Sequence, residues 1–131
     1  MLRIALLTLC FYGLVISRIE AQVQVRGQQD LAFGTIFAGV PEHVLPIDPT
    51  RSGRFRVQGP RNEIYVLTFT LPPDLFGPGA ALLPMSYAVV DAGISATQTG
   101  PQTPFDPNTP FTFTMPNNRR VFISLGATAT P

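Results

Sequence analysis

Proline punctuates this chain too densely for long helices. Fourteen prolines stand at positions 41, 46, 49, 60, 72, 73, 78, 84, 101, 104, 107, 110, 116 and 131. Inside a helix each would remove a backbone donor and clash with the preceding turn. After residue 22, no proline-free window carries an apolar stripe at i, i+3, i+4, i+7. What fills the gaps is short runs of alternating apolar and polar residues, bounded by Gly, Pro, Asn and Asp, which is the period of β-strands.

The runs are expected as follows. Leu31–Phe37 forms the first clear strand, with Gly34 marking a bulge or a close backbone approach. Glu42–Ile47 is an edge strand, confined there by Pro41 and Pro46. Asp48–Gly53 turns the chain, and Arg54–Val57 follows with Phe55 and Val57 inward. After a turn at Gly59–Asn62, Glu63–Leu71 presents Tyr65, Leu67, Phe69 and Leu71 to a core. Leu75–Leu83 reads as a Gly/Pro loop, Met85–Val90 as a strand with Met85, Tyr87 and Val89 inward, and Asp91–Asn108 as a long loop. Phe111–Met115, a hairpin-type turn at Pro116–Asn118, and a strand over Arg120–Ala127 complete the pattern. Six or seven short strands with closely spaced turns predict an all-β fold, an antiparallel immunoglobulin-like or pilin-like β-sandwich.

The N-terminus has a different character. Met1-Leu2-Arg3 precedes an apolar run of 13 residues, Ile4–Ile16, and then Ser17-Arg18-Ile19-Glu20-Ala21. A positive end, an apolar stretch too short for a stable span and a small residue at the boundary describe a helical secretory signal peptide over 1–21, cut after Ala21. The protein is then expected in the periplasm, at the cell surface or outside the cell, with no stable membrane span after cleavage. Cys10 falls in the apolar stretch, so the mature chain from Gln22 has no cysteine and must rely on its core.

Composition excludes several functions. The single Cys and single His leave no disulfide scaffold and no Cys/His zinc site. A hydrophobic content of 45% and a net charge of +1 argue against disorder and against a nucleic-acid binder led by basic excess. Residues 22–131 carry 7 Arg and 7 acids, a net charge of 0. His43 would have to serve any Ser–His–acid triad, yet no Gly-x-Ser-x-Gly elbow is present. The Asp residues sit beside strand ends, where Asp builds turns, and no D-x-D-x-D run marks a Ca²⁺ loop. No catalytic residue, cofactor or metal site is expected, and the protein reads as non-enzymatic.

Two features remain as candidates. Arg51, Arg54, Arg56 and Arg61 cluster in sequence, and Arg54 and Arg56 leave one strand on the same side. They could take up anionic polysaccharide or phosphate, or simply solvate a face and protect an edge. The aromatics are mostly Phe at alternating positions and read as core. Gln22-Val23-Gln24-Val25-Arg26 also alternates. It is either this domain's first strand or a donor strand for another copy or another envelope protein.

The order of several motifs resembles a family of small secreted bacterial domains of unknown function. Its L-x-F-G opening strand is matched by Leu31-Ala32-Phe33-Gly34, and its F-x-V-x-G and Y-x-hydrophobic strand pair by Phe55–Gly59 and Tyr65–Leu71. Its mid-domain Met strand is matched by Met85 and its V-G-A-T-L strand by Val121–Thr128, so the likeness spans residues 30 to 131. The resemblance implies a β-sandwich exported to the envelope or surface, at times akin to fimbrial subunits, with no catalytic residue. The family's closing G-x-Y-x-G strand has no counterpart before Pro131. That leaves two readings: an incomplete sequence, or a sandwich completed by a strand from another copy. The expected role is therefore structural or assembly-related, with a fimbrial-type subunit as its most specific form; the alternative is a surface glycan- or anion-binding module.

Overall fold

The computed structural model describes residues 23–77, 79 and 81–131; the expected signal peptide, Cys10 and Gln22 lie outside them. The described residues form an all-β structure of eleven strands. These are β1 (Gln24–Gln29), β2 (Glu42–Val44), β3 (Gly53–Gln58), β4 (Ile64–Leu67), β5 (Asp74–Phe76), β6 (Leu82–Ser86), β7 (Ala92–Ser95), β8 (Thr103–Phe105), β9 (Phe111–Thr114), β10 (Arg120–Leu125) and β11 (Ala127–Ala129). They pair antiparallel in three sheets: β1-β3-β10-β7-β8, β2-β11-β6-β5, and β4-β9. Among the described residues no helix is long and apolar enough to cross a membrane.

Strand alternation builds two cores. In the first, Val57, Ala92, Val121 and Ile123 from the five-stranded sheet meet Tyr65, Leu67, Phe111 and Phe113 of the β4–β9 pair, with Met115 fully buried between them. A line of aromatic rings threads this layer, with centroids 5.8 Å apart for Tyr65 and Phe113, 4.1 Å for Phe105 and Phe111, and 5.6 Å for Phe55 and Phe69. The 5.6 Å and 5.8 Å spacings fall within the range of favourable aromatic contacts. In the second core, Val44, Ala127 and Ala129 are covered by Phe33, with Leu31, Ile36 and Met85 around them.

One backbone run links the cores. β10 leads into β11 across Gly126, whose N–H donates to the Asp91 carbonyl at 2.7 Å. A Cβ at 126 would collide with the Val44 carbonyl oxygen and crowd the Pro46 nitrogen, so only glycine fits this crossing.

The structure corrects several expectations. Leu31–Phe37 is not a strand: β1 takes the place beside β3, and Gly34, at φ +73°, bends the segment so that Phe33 is buried while Phe37 faces solvent. Regular pairing in Glu63–Leu71 covers only Ile64–Leu67, although Phe69 still reaches the core. The expected 75–83 loop contains the β5–β6 pairing, with Leu75 opposite Leu83 and Phe76 opposite Leu82. The strand expected over 85–90 ends at Ser86; a turn closed by Asp91 follows, so Val89 points outward. The expected 91–108 loop contains β7 and β8. Asn117 and Asn118 do turn, but they carry the chain between β9 and β10, which belong to different sheets. Arg120–Ala127 is divided at Gly126. The edge placement of β2 and the inward side of β3 are as expected.

Candidate anion-binding face

The four candidate arginines do not stand together. Arg51 is taken up by acids: Nη1 donates to Glu42 Oε1 at 2.6 Å and Nε to Asp48 Oδ2 at 3.0 Å. Asp48 organises this turn, its Oδ1 accepting from the Thr50 backbone N–H at 2.9 Å and the Arg51 backbone N–H at 3.0 Å. The Thr50 N–H, then the Arg51 guanidinium and backbone N–H, hold the Asp48 carboxyl well below the usual carboxylate range. Glu42 and Asp48 in turn raise the Arg51 pKa. Arg61 is exposed in the turn after β3, off the sheet.

Arg54 and Arg56 do share a face, and the register adds two more. β3 presents Phe55 and Val57 to the core, so Arg54, Arg56 and Gln58 leave by the outer side. Arg26 on β1 and Phe122 on β10 lie directly opposite Arg56 on either side. Gln24 and Arg120 flank Gln58 in the same way. One sheet face thus carries Arg26, Arg54, Arg56 and Arg120, and no Asp or Glu occupies an outward position of β1, β3 or β10. Among the described residues the ion pairs join His43 to Asp91 and Arg51 to Glu42 and Asp48, so these four arginines have no carboxylate partner. Arg54 is steadied by neutral oxygens instead, Ser52 Oγ at 3.3 Å and the Asp48 carbonyl at 3.4 Å.

The segment 96–102 lies over this face. Asn118 Nδ2 donates to the Ala96 carbonyl at 2.8 Å, and Gln102 Nε2 to Ser124 Oγ at 3.0 Å. On one side it leaves a groove of about 350 Å³ with Arg54, Pro49 and Gln98 in its walls. On the other it leaves one of about 330 Å³ lined by Arg120, Phe122, Asn118 and Ala96–Gln98. Volumes of this size are at the low end for ligand sites.

Directly opposite side chains have Cβ atoms about 4.5–5.5 Å apart, and like charges placed so oppose folding. The Arg26–Arg56 pair is such a placement. Guanidinium groups so arranged can take carboxylate, sulfate or phosphate oxygens in bidentate fashion. The hydroxyls of Ser95 and Ser124 on this face are hydrogen-bonded to Thr97 and Gln102, and among the described residues no His, Asp or Glu is hydrogen-bonded to either.

Sequence reasoning missed Arg120 and placed Arg26 only in the candidate donor strand. In this chain Gln24–Arg26 pair with Gln58–Arg56 of β3, as the domain's own first strand would. The Gln24-x-Arg26, Arg54-x-Arg56 and Arg120-x-Phe122 alternations were visible; their adjacency depends on pairing β1, β3 and β10 across distant sequence. His43, read as a surface residue, is half-exposed but held: its Nε2 lies 3.0 Å from Asp91 Oδ1. No hydroxyl is hydrogen-bonded to its ring among the described residues.

No protein-family model, no curated protein and no solved structure matches the chain.

Proposed function

We propose that this protein is an exported, non-enzymatic β-sandwich domain of the cell envelope or surface that binds an anionic polymer through the outer face of its five-stranded sheet. The observation that carries this reading is Arg26 directly opposite Arg56, with Arg54 and Arg120 beside them and no acid at an outward position of β1, β3 or β10. In a mature chain with a net charge of 0, such a segregation of charge is a local field, and local fields recruit counter-ions of opposite sign. Export rests on the character of residues 1–21. The immunoglobulin-like or pilin-like kinship draws support from layered antiparallel sheets and from the motif order. The test is retention on an immobilised polyanion across a salt series. The parent protein is retained at low salt and released as salt rises; the double variant Arg26→Glu with Arg56→Glu elutes without retention. Equal retention of the two overturns the reading.

A second reading, assembly of the fimbrial type by strand addition, draws on β1. It is an edge strand exposed along most of its length, interrupted by one irregularity between Gly27 and Gln29. Edge strands offer unpaired backbone groups to another chain. Deleting residues 22–26 would dissolve oligomers built this way, and monomers indifferent to the deletion would count against it.

A further inference from the structure

Resting on the anion-binding reading above, we infer that the ligand is an acidic polysaccharide, a polyuronate, with one sugar ring seated on Phe122. The described phenylalanines otherwise go elsewhere. Phe55, Phe69, Phe105, Phe111 and Phe113 belong to the first core and Phe33 to the second, while Phe37 and Phe76 are exposed outside the five-stranded sheet. Phe122 instead stands on the arginine face, opposite Arg56 on one side and Ser95 on the other.

A phosphate chain has no use for an aromatic ring; it offers only charge and acceptors. A uronate offers three chemistries at once: an apolar face of C–H groups, hydroxyls and a carboxylate. The groove of about 330 Å³ beside Phe122 supplies their complements. Phe122 gives a flat apolar surface, Thr97 and Gln98 give exposed polar groups, and Arg120 gives a guanidinium. Its wall is braced, since Asn118 holds the Ala96 carbonyl with its amide and accepts from the Arg120 backbone N–H at 3.3 Å. Arg56 and Arg26 continue in line from Phe122 across neighbouring strands about 4.8 Å apart. A chain laid over Phe122 therefore meets further cations in that direction, which a monosaccharide would not reach.

The experiment is calorimetric titration with an oligogalacturonate, inorganic polyphosphate of matched charge, and neutral dextran. The parent protein binds oligogalacturonate more tightly than polyphosphate and ignores dextran. Phe122→Ala weakens oligogalacturonate binding by about threefold to tenfold, the worth of one aromatic contact, and leaves polyphosphate binding within about twofold. Phe122→Leu keeps apolar bulk without the ring and gives the same loss, which separates stacking from any disturbance of the sheet. Arg56→Gln weakens both anions. If the Phe122 variants lower both ligands alike or neither, the sugar seat is wrong while the arginine face stands. If Arg56→Gln and Arg26→Gln also change nothing, the face itself is not a binding site.

Discussion

Asp91, 1% exposed, accepts from Nε2 of His43 across a 3.0 Å contact, and so ties the approach to β7 in the five-stranded sheet to β2 in the four-stranded one. Its other oxygen accepts from the Ala88 N–H at 2.7 Å and closes the turn after β6. A carboxylate buried this deeply needs its donors. His43→Ala leaves one oxygen without a partner and is expected to cost about 1.5–3 kcal/mol, seen as a lower urea midpoint with an unchanged slope. A loss within experimental error would mean that water replaces the ring.

Asp48 predicts an acid-side dependence. Its folded pKa is depressed, so its contribution is fully present above the unfolded value of about 4 and is lost as pH falls toward the folded one. Asp48→Asn should lower the melting temperature near neutrality, and the gap from the parent should close below the ordinary carboxylate range. A gap constant with pH would assign the effect to turn geometry alone.

The like-charged pair predicts a gain from removing charge. Without anions, Arg26→Gln is expected to stabilise the domain by a few tenths of a kcal/mol, about the scale of cross-strand pairs. Sulfate or high salt should erase the difference by binding or screening. Melting curves in chloride-poor buffer, with and without sulfate, provide the check; a destabilised Arg26→Gln variant contradicts it.

Gly126→Ala places a methyl against the Val44 carbonyl where β10 passes into β11. Overpacking of this kind costs about 1–3 kcal/mol, and the backbone obstacle puts this site at the upper end. Chemical denaturation measures it. A neutral variant would mean that β2 moves aside freely.

How much of this was legible depended on what each strand packs against. β3 and β9 bury one face and expose the other, so Phe55/Val57 and Phe111/Phe113 announced themselves by alternation. β7 did not. Ala92 and Gly93 are both buried, because the segment 96–102 covers the side of β7 turned away from the core. At Gly93 a side chain would strike Gln102. A strand hemmed in on both faces by close neighbours is written in small residues, which read as loop. β5 was hidden for the opposite reason: Phe76 and Leu82 are largely exposed, so Leu75–Leu83 lacked a polar side to alternate with. The arginine face was half visible, since parity within a strand is local while register between β1, β3 and β10 is not.

Strand order has a consequence for the sequence of events in folding. β10 stands between β3 and β7, and β11 between β2 and β6, so the two larger sheets are each joined through a late segment. A chain delivered N-terminus first can form the β1–β3, β5–β6, β7–β8 and β4–β9 pairs on the way. It cannot unite them until residues 120–129 arrive. Residues 120–129 therefore act as a late-arriving keystone: however the earlier strands pair, the two larger sheets close only when this segment takes its place between them.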